Sequence, residues 1–224
     1  FICAINKTGE DYGTLPSWEA ANQADLTSAA TKVFSHSGIT GTITDGATVT
    51  GSTSGATGVC THATSTQIMI KTITGTFQSG EVVYQTISVN LVTISDAGDS
   101  VIATANIFDD DGNLTGALTI SGWTTSATNY PKVTVNSADR HNGTVSVGAA
   151  LVSTSYAVAV VEIQVSYTIV EWLKIKGTAT GTGSRNCVIV STNFAGVIVR
   201  NCICYDSTNT GAGGMDGIRF SGSA

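Results

Sequence analysis

Short apolar runs separated by turn residues recur from Ala157 to Phe220. Val158–Gln164, Thr168–Gly177 (TIVEWLKIKG), Cys187–Ser191 (CVIVS), Gly196–Tyr205 (GVIVRNCICY) and Gly217–Phe220 (GIRF) follow one another in series. Gly-Thr-Gly-Ser, Asn-Phe-Ala-Gly and Asn-Thr-Gly-Ala-Gly-Gly separate the later runs. Short β-branched runs punctuated in this way predict strands, and no helical period intervenes to suggest a βαβ unit. In Val197–Cys204 the period of two points Val197 and Val199 one way and Ile198 the other. Asn201 then falls where one strand ends. Asparagine tolerates left-handed backbone angles, so it suits a corner. Aligning Thr168-Ile169-Val170 with Gly196-Val197-Ile198 gives a repeat within the range of roughly 20–50 residues expected of solenoids. The expected fold is all-β: a right-handed parallel β-helix with a short N-terminal capping helix and a small inserted antiparallel β module. An antiparallel sandwich is the alternative.

The rest of the chain divides around this body. Phe1–Ile5 (FICAI) reads as a strand. It has no basic flank or long apolar core, so it is not an intact signal peptide, and a first residue that is not Met reads as processing or a fragment. Asp11–Leu26 is the one helical stretch. Thr14 or Ser17 can cap it, Pro16 suits its first turn, and Leu15, Trp18, Ala21 and Leu26 supply an apolar face to plug the end of a solenoid. Ser37–Gln85 is rich in Gly, Thr and Ser and alternates in short stretches, with Asp45-Gly46 and Ser79-Gly80 fitting hairpins. The expected organisation is therefore 1–36 for the strand and helix, 37–85 for the inserted module and 86–224 for the helical body. Gly217–Phe220 is a strand followed only by Ser-Gly-Ser-Ala, so an open edge is expected there, inviting more chain or another subunit.

Composition narrows the partners. Hydrophobic residues make up 42% of the 224 and charged residues 12%, which fits a folded all-β chain and not a disordered one. A net charge of −6 leaves no basic patch for nucleic acid or anionic lipid, and no apolar run approaches the ~20 residues of a membrane helix. Five cysteines leave at least one unpaired within a monomer; Cys187, Cys202 and Cys204 fall in strands and read as small buried hydrophobes. No Cys-x-x-Cys occurs, and His36, His62 and His141 lie far apart, so no metal and no cofactor is expected.

Candidate chemistry is sparse. Asp109, Asp111, Asn113 and Thr115 alternate like a calcium loop, but Ile120 stands where the bidentate Glu is needed, so a solvated turn is expected. Asp139-Arg140-His141-Asn142 is the densest polar cluster. It reads as a turn or a glycan-contacting loop; Trp123, Tyr130 and Trp172 could offer aromatic faces to sugars, though aromatics in β proteins more often serve the core. Glu171 and Arg200 occupy similar places in their strands and read as an exposed pair. Asp206 and Asp216 flank a Gly-rich loop and could share a groove. Phe1, Ile2, Ile5, Ile218 and Phe220 are the candidate assembly contacts. Asn6, Asn113 and Asn142 begin glycosylation triplets.

The string ISGWTTSATNYPKVTV…RHNGT, with DYGTLPSWEAA before it and EWLKIKG and VIVRNC after it, resembles right-handed parallel β-helix proteins of bacteriophage, environmental and bacterial exoprotein sequences, with the architecture of the pectate-lyase-like superfamily. The likeness covers most of 10–36 and 86–220, and the inserted segment resembles small β modules of phage virion proteins. No catalytic motif comes with it. It implies a structural or adhesive component of an extracellular fibre or a virion appendage such as a tail fibre, located outside the cell or on the virion. Such a component would assemble with copies of itself and could bind surface polysaccharide. A polysaccharide depolymerase on the same scaffold and a bacterial cell-surface adhesin are the alternatives.

Overall fold

The computed structural model describes residues 1–6, 9, 11–87, 89–154, 158–179, 185–191, 194–209 and 215–221. The turn expected at 181–184, most of that at 209–214, Asn193, Lys7 and Thr8 of the first glycosylation triplet, and residues 222–224 lie outside the described residues. The chain opens with β1 (Ile2–Ile5) and helix α1 (Leu15–Asn22). Six strands follow: β2 (Lys32–Thr40), β3 (Thr48–Gly51), β4 (Thr57–Ala63), β5 (Gln67–Thr74), β6 (Val82–Thr86) and β7 (Asn90–Ile94). Next come β8 (Ala103–Ile107), β9 (Leu114–Thr115), β10 (Leu118–Ile120), β11 (Pro131–Val135), β12 (Ala150–Ser153), β13 (Ala159–Ile163) and β14 (Ile169–Glu171). The last are β15 (Lys174–Ala179), β16 (Arg185–Val190), β17 (Ile198–Arg200), β18 (Ile203–Cys204), β19 (Thr208–Asn209) and β20 (Met215–Phe220).

The strands outside β2–β7 form three parallel sheets. The first runs β1-β8-β11-β14-β17, the second β9-β12-β15-β18 and the third β10-β13-β16-β20, with β19 beside β15. From β8 onward the chain visits first, second and third sheet in rotation, so each circuit lays one rung on the last. Alternation aims one residue in two inward: Ala103, Ala105 and Ile107 of β8, and Val161 and Ile163 of β13, belong to one buried cluster. Corners need backbone angles that few side chains tolerate. Asn201 has φ 52° at the corner after β17, and Trp172 has φ 65° at the matching corner one rung earlier.

Between α1 and β8 the chain does something else. Strands β2-β5-β4-β3-β6-β7 close into a six-stranded antiparallel barrel. Phe34, Val49, Ile68, Phe77, Val83 and Val92 give it a core of its own. This closed barrel overturns the expected fold class: a single right-handed parallel β-helix carrying a small antiparallel insert does not describe the chain. The barrel runs from Lys32 to Ile94, so it reaches past 37–85 on both sides. Asp45-Gly46 and Ser79-Gly80 are turns, with Gly46 at φ 77° and Gly80 at φ 83°. They join strands that are not neighbours, since β2 does not pair with β3 nor β5 with β6. Closure comes from pairing the first barrel strand with the last, His36 opposite Ile94. Local periodicity carries no trace of such a contact.

Helix α1 begins at Thr14, whose hydroxyl accepts a hydrogen bond from the Ser17 N–H at 3.2 Å. Its eight residues are too few to stand alone, and it is held by packing. Leu15 and Trp18 are fully buried, and the helix rests on β1, β8, β10 and the barrel strand β4.

Candidate functional site

The three sheets end together. β17, β18 and β20 are the outermost strands of the first, second and third sheets. Each has a parallel neighbour on one side, and among the described residues none is paired on the other. Val199 and Cys204 lean on the core, while Ile198, Ile218 and Phe220 are exposed, Phe220 at 64%. A rung of free edge strands with apolar side chains beside it is a template for further pairing. At the far end of the chain the picture differs: Phe1 and Ile5 are buried, and only Ile2 of that trio is exposed.

Glu171 organises the outer part of the first sheet. Its carboxylate accepts hydrogen bonds from Thr134 Oγ1 (3.0 Å) and Arg200 Nε (2.8 Å), and Lys132 Nζ lies 2.8 Å away. The stacking follows from the parallel register, which sets Glu171 beside Arg200. The sequence placed the two together but expected an exposed pair; the Glu171 side chain is only 4% exposed. Burial alone would raise its pKa, but the Lys132, Arg200 and Thr134 donors outweigh that and bring it down to about 2.

A second cluster joins the barrel to the N-terminal segment. His62 on β4 contacts Asp45 through Nδ1 at 2.9 Å, and its Nε2 lies 3.2 Å from Asp11. The Tyr12 ring lies 4.8 Å away, and its hydroxyl donates to Asp45 at 3.3 Å. Burial works against the imidazolium, but the two carboxylates prevail and raise the pKa from 6.5 to about 9. A raised folded-state value means the contribution is complete below pH 6.5 and lost as pH rises through about 9. His62→Gln is therefore expected to cost about 1–2 kcal/mol at pH 6, discounted for the half-exposed Asp45. The difference from the parent should vanish at pH 10, as thermal unfolding at the two pH values would show.

The polar cluster at 139–142 does gather around one of the three expected aromatics, Trp172. Arg140 donates to the Val135 carbonyl at 3.1 Å and lays its guanidinium 4.9 Å from the centre of the Trp172 ring. His141 is buried; its Nε2 lies 2.6 Å from the Asn201 carbonyl and its Nδ1 accepts from the Gly143 N–H. Asn142 accepts from both the N–H and the hydroxyl of Thr144, a closed local turn. Asp139 accepts the Ala149 N–H on its backbone carbonyl. These bonds hold the corner at Trp172 and Asn201 and cover the ring that a sugar would need. Trp123 is elsewhere, buried 5.8 Å from Trp18 and donating to Glu19. Tyr130 is half-buried just before β11. Of the glycosylation triplets, Asn113 and Asn142 are exposed, whereas Asn6 is buried with its amide donating to the Phe108 and Gly112 carbonyls.

A cleft of about 870 Å³ lies between the barrel and the outward face of the first sheet. Ile2, Ala4 and Asn106 line one wall; Ser35, His36 and the Thr64–Gln67 turn line the other. His36 is buried, its Nε2 has no hydrogen-bond partner among the described residues, and burial lowers its pKa. A hydroxyl-rich cleft between two structural units, with the Asp11 carboxylate in its lining, suits a polyhydroxylated ligand. Sequence reading missed it because its walls come from four separate segments, none with a motif.

The buried carboxylates serve the fold. Glu19 accepts from Ser121 N–H and Trp123 Nε1, and Glu81 ties down the turns at Thr53–Ser54 and Gln78. Asp206 and Asp216 do border one pocket, as the sequence allowed, but they face Lys176 at 3.7 Å and Arg219 at 3.9 Å. Among the described residues no group of three or more His, Cys, Asp or Glu side chains is placed to hold a metal ion. Nor is any helix among them long and apolar enough to cross a membrane. Comparison with protein-family models, with curated proteins and with solved structures finds no match.

Proposed function

We propose that this chain is a structural, self-assembling component of an extracellular fibre or virion appendage, with the cleft beside the barrel as its glycan-contacting surface. The observation that carries the reading is the common open rung of β17, β18 and β20. Edge strands of this kind take up another strand by backbone hydrogen bonding. The occupant we assign is a second copy of the chain. A second copy laid along this edge covers the exposed Ile218 and Phe220 of β20 and the exposed Ile198 of β17, apolar side chains that otherwise face water. The engagement of Glu19, Glu81 and Glu171 in structural bonds favours this reading over a depolymerase, which needs carboxylates free for proton transfer.

The test is assembly. Mass photometry and electron microscopy across rising concentration should show oligomers of the parent chain. The Ile218→Lys, Phe220→Lys double variant, with unchanged circular dichroism, should need a concentration about tenfold or more higher. A parent chain that is monomeric throughout overturns the proposal.

A further inference from the structure

Two cysteines meet where the second and third sheets face each other near the open rung. Cys187 on β16 is buried, with Sγ 3.2 Å from Ser207 Oγ and 4.0 Å from the Ile175 carbonyl. Cys204 on β18 lies beside that same Ile175 in the parallel register. Both cysteines therefore lie against Ile175. Both line a surface pocket of about 260 Å³, together with Tyr205, Asp206, Ser207 and Asp216. Cys204 is half-buried, so the pair is reached from this pocket. Cys202 does not share it: its Sγ sits 3.7 Å from the Val170 carbonyl and 3.4 Å from that of Arg200. Cys3 and Cys60 are fully buried in the two separate cores.

We propose that Cys187 and Cys204 form a dithiol that small-molecule disulfides convert, reversibly, to a disulfide stapling the outermost rung to the one beneath it. One thiolate of the pair attacks a sulfur of the small disulfide RSSR, forming a mixed disulfide and expelling one RS⁻, which takes up the proton that the thiol gave up. The second cysteine, losing its proton in turn, attacks the protein sulfur of that mixed disulfide. The Cys187–Cys204 bond forms and a second RSH leaves. Two protein thiols and one RSSR thus become one protein disulfide and two RSH. The environment favours the first step. The neighbouring Cys204 thiol and the Ser207 hydroxyl lower the Cys187 pKa to about 7, while the nearness of Cys187 pushes Cys204 up. The pair so gives up its first proton more readily than an ordinary thiol does.

The experiment uses the folded, unmodified chain. It is incubated with oxidised glutathione, alkylated and digested with trypsin. Cleavage after Arg185, Arg200 and Arg219 puts Cys187 on peptide 186–200 and Cys204 on 201–219. The expected product is these two peptides joined, lighter by two hydrogens and separated again by dithiothreitol. Cys202→Ser should give the same bridge, and Cys187→Ser should stop at a glutathione adduct on Cys204. Peptides that stay unjoined while a free small dithiol is oxidised in the same tube overturn the proposal. So does a bridge that disappears in Cys202→Ser.

Discussion

Replacing Trp18 by alanine is expected to lower stability by about 3–5 kcal/mol, the range for deleting a large aromatic from a packed core. Trp18 is fully buried and its ring lies 5.8 Å from that of Trp123. Its loss does more than open a cavity. Helix α1 is only eight residues long and holds its place through this face. The next residue, Glu19, accepts hydrogen bonds from Ser121 and Trp123 of the loop after β10. The barrel also grips the segment, through Lys71 Nζ on the Gln23 carbonyl at 3.0 Å. Loosening the helix therefore uncovers the first rungs and weakens the barrel's attachment together. Urea unfolding followed by circular dichroism measures the effect. Trp18→Phe, which keeps most of the volume, should cost about 1–2 kcal/mol. A loss below about 1 kcal/mol for the alanine variant would show that the helix is not part of the core.

Glu171→Gln is expected to cost about 2–4 kcal/mol at neutral pH. Removing one partner of a buried ionic group leaves the others without their counter-charge. Here Lys132 and Arg200 would face a neutral amide whose NH₂ group points a donor at donors. The partly exposed Arg200 recovers some solvation, which keeps the figure below the upper limit for fully buried pairs. The pH dependence gives an independent check. The folded-state pKa of Glu171, about 2, lies below its ordinary 4.5. Its contribution is then complete above pH 4.5 and lost as pH falls through about 2. Parent and variant should differ most above pH 5 and converge near pH 2. A gap that persists at pH 2 would trace the loss to packing and not to charge.

These two sites differ in how far the sequence revealed them. Thr14 and Pro16 announced the helix start because capping is local chemistry. Asn201 announced a corner because few residues accept its backbone angle. Trp172 makes the same corner one rung earlier, and tryptophan carries no such signal, so the stacked pair of corners was invisible. Glu171 and Arg200 were legible as neighbours through the repeat; the burial of Glu171 was not, since Lys132 and Thr134 reach it from the neighbouring rung on its other side, which the repeat alignment did not include. The barrel was legible as antiparallel strands but not as a closed wall, because the His36–Ile94 pairing leaves no local pattern. The Asp11–His62–Asp45 clamp and the cleft at His36 share that origin. Each is assembled across units from residues that look ordinary in place; around 139–142 the expected Trp172 is present, while Trp123 is elsewhere because it was needed inside.

The most direct test of the central claim is amide hydrogen exchange of the parent chain at low and high concentration. The open rung should behave as a pairing edge. The amides of Ile198–Arg200 and Met215–Phe220 that face away from β14 and β16 should exchange freely when dilute and gain protection as concentration rises, while those of the barrel strands stay unchanged. Equal exchange of the outer strands at every concentration would contradict assembly through this rung.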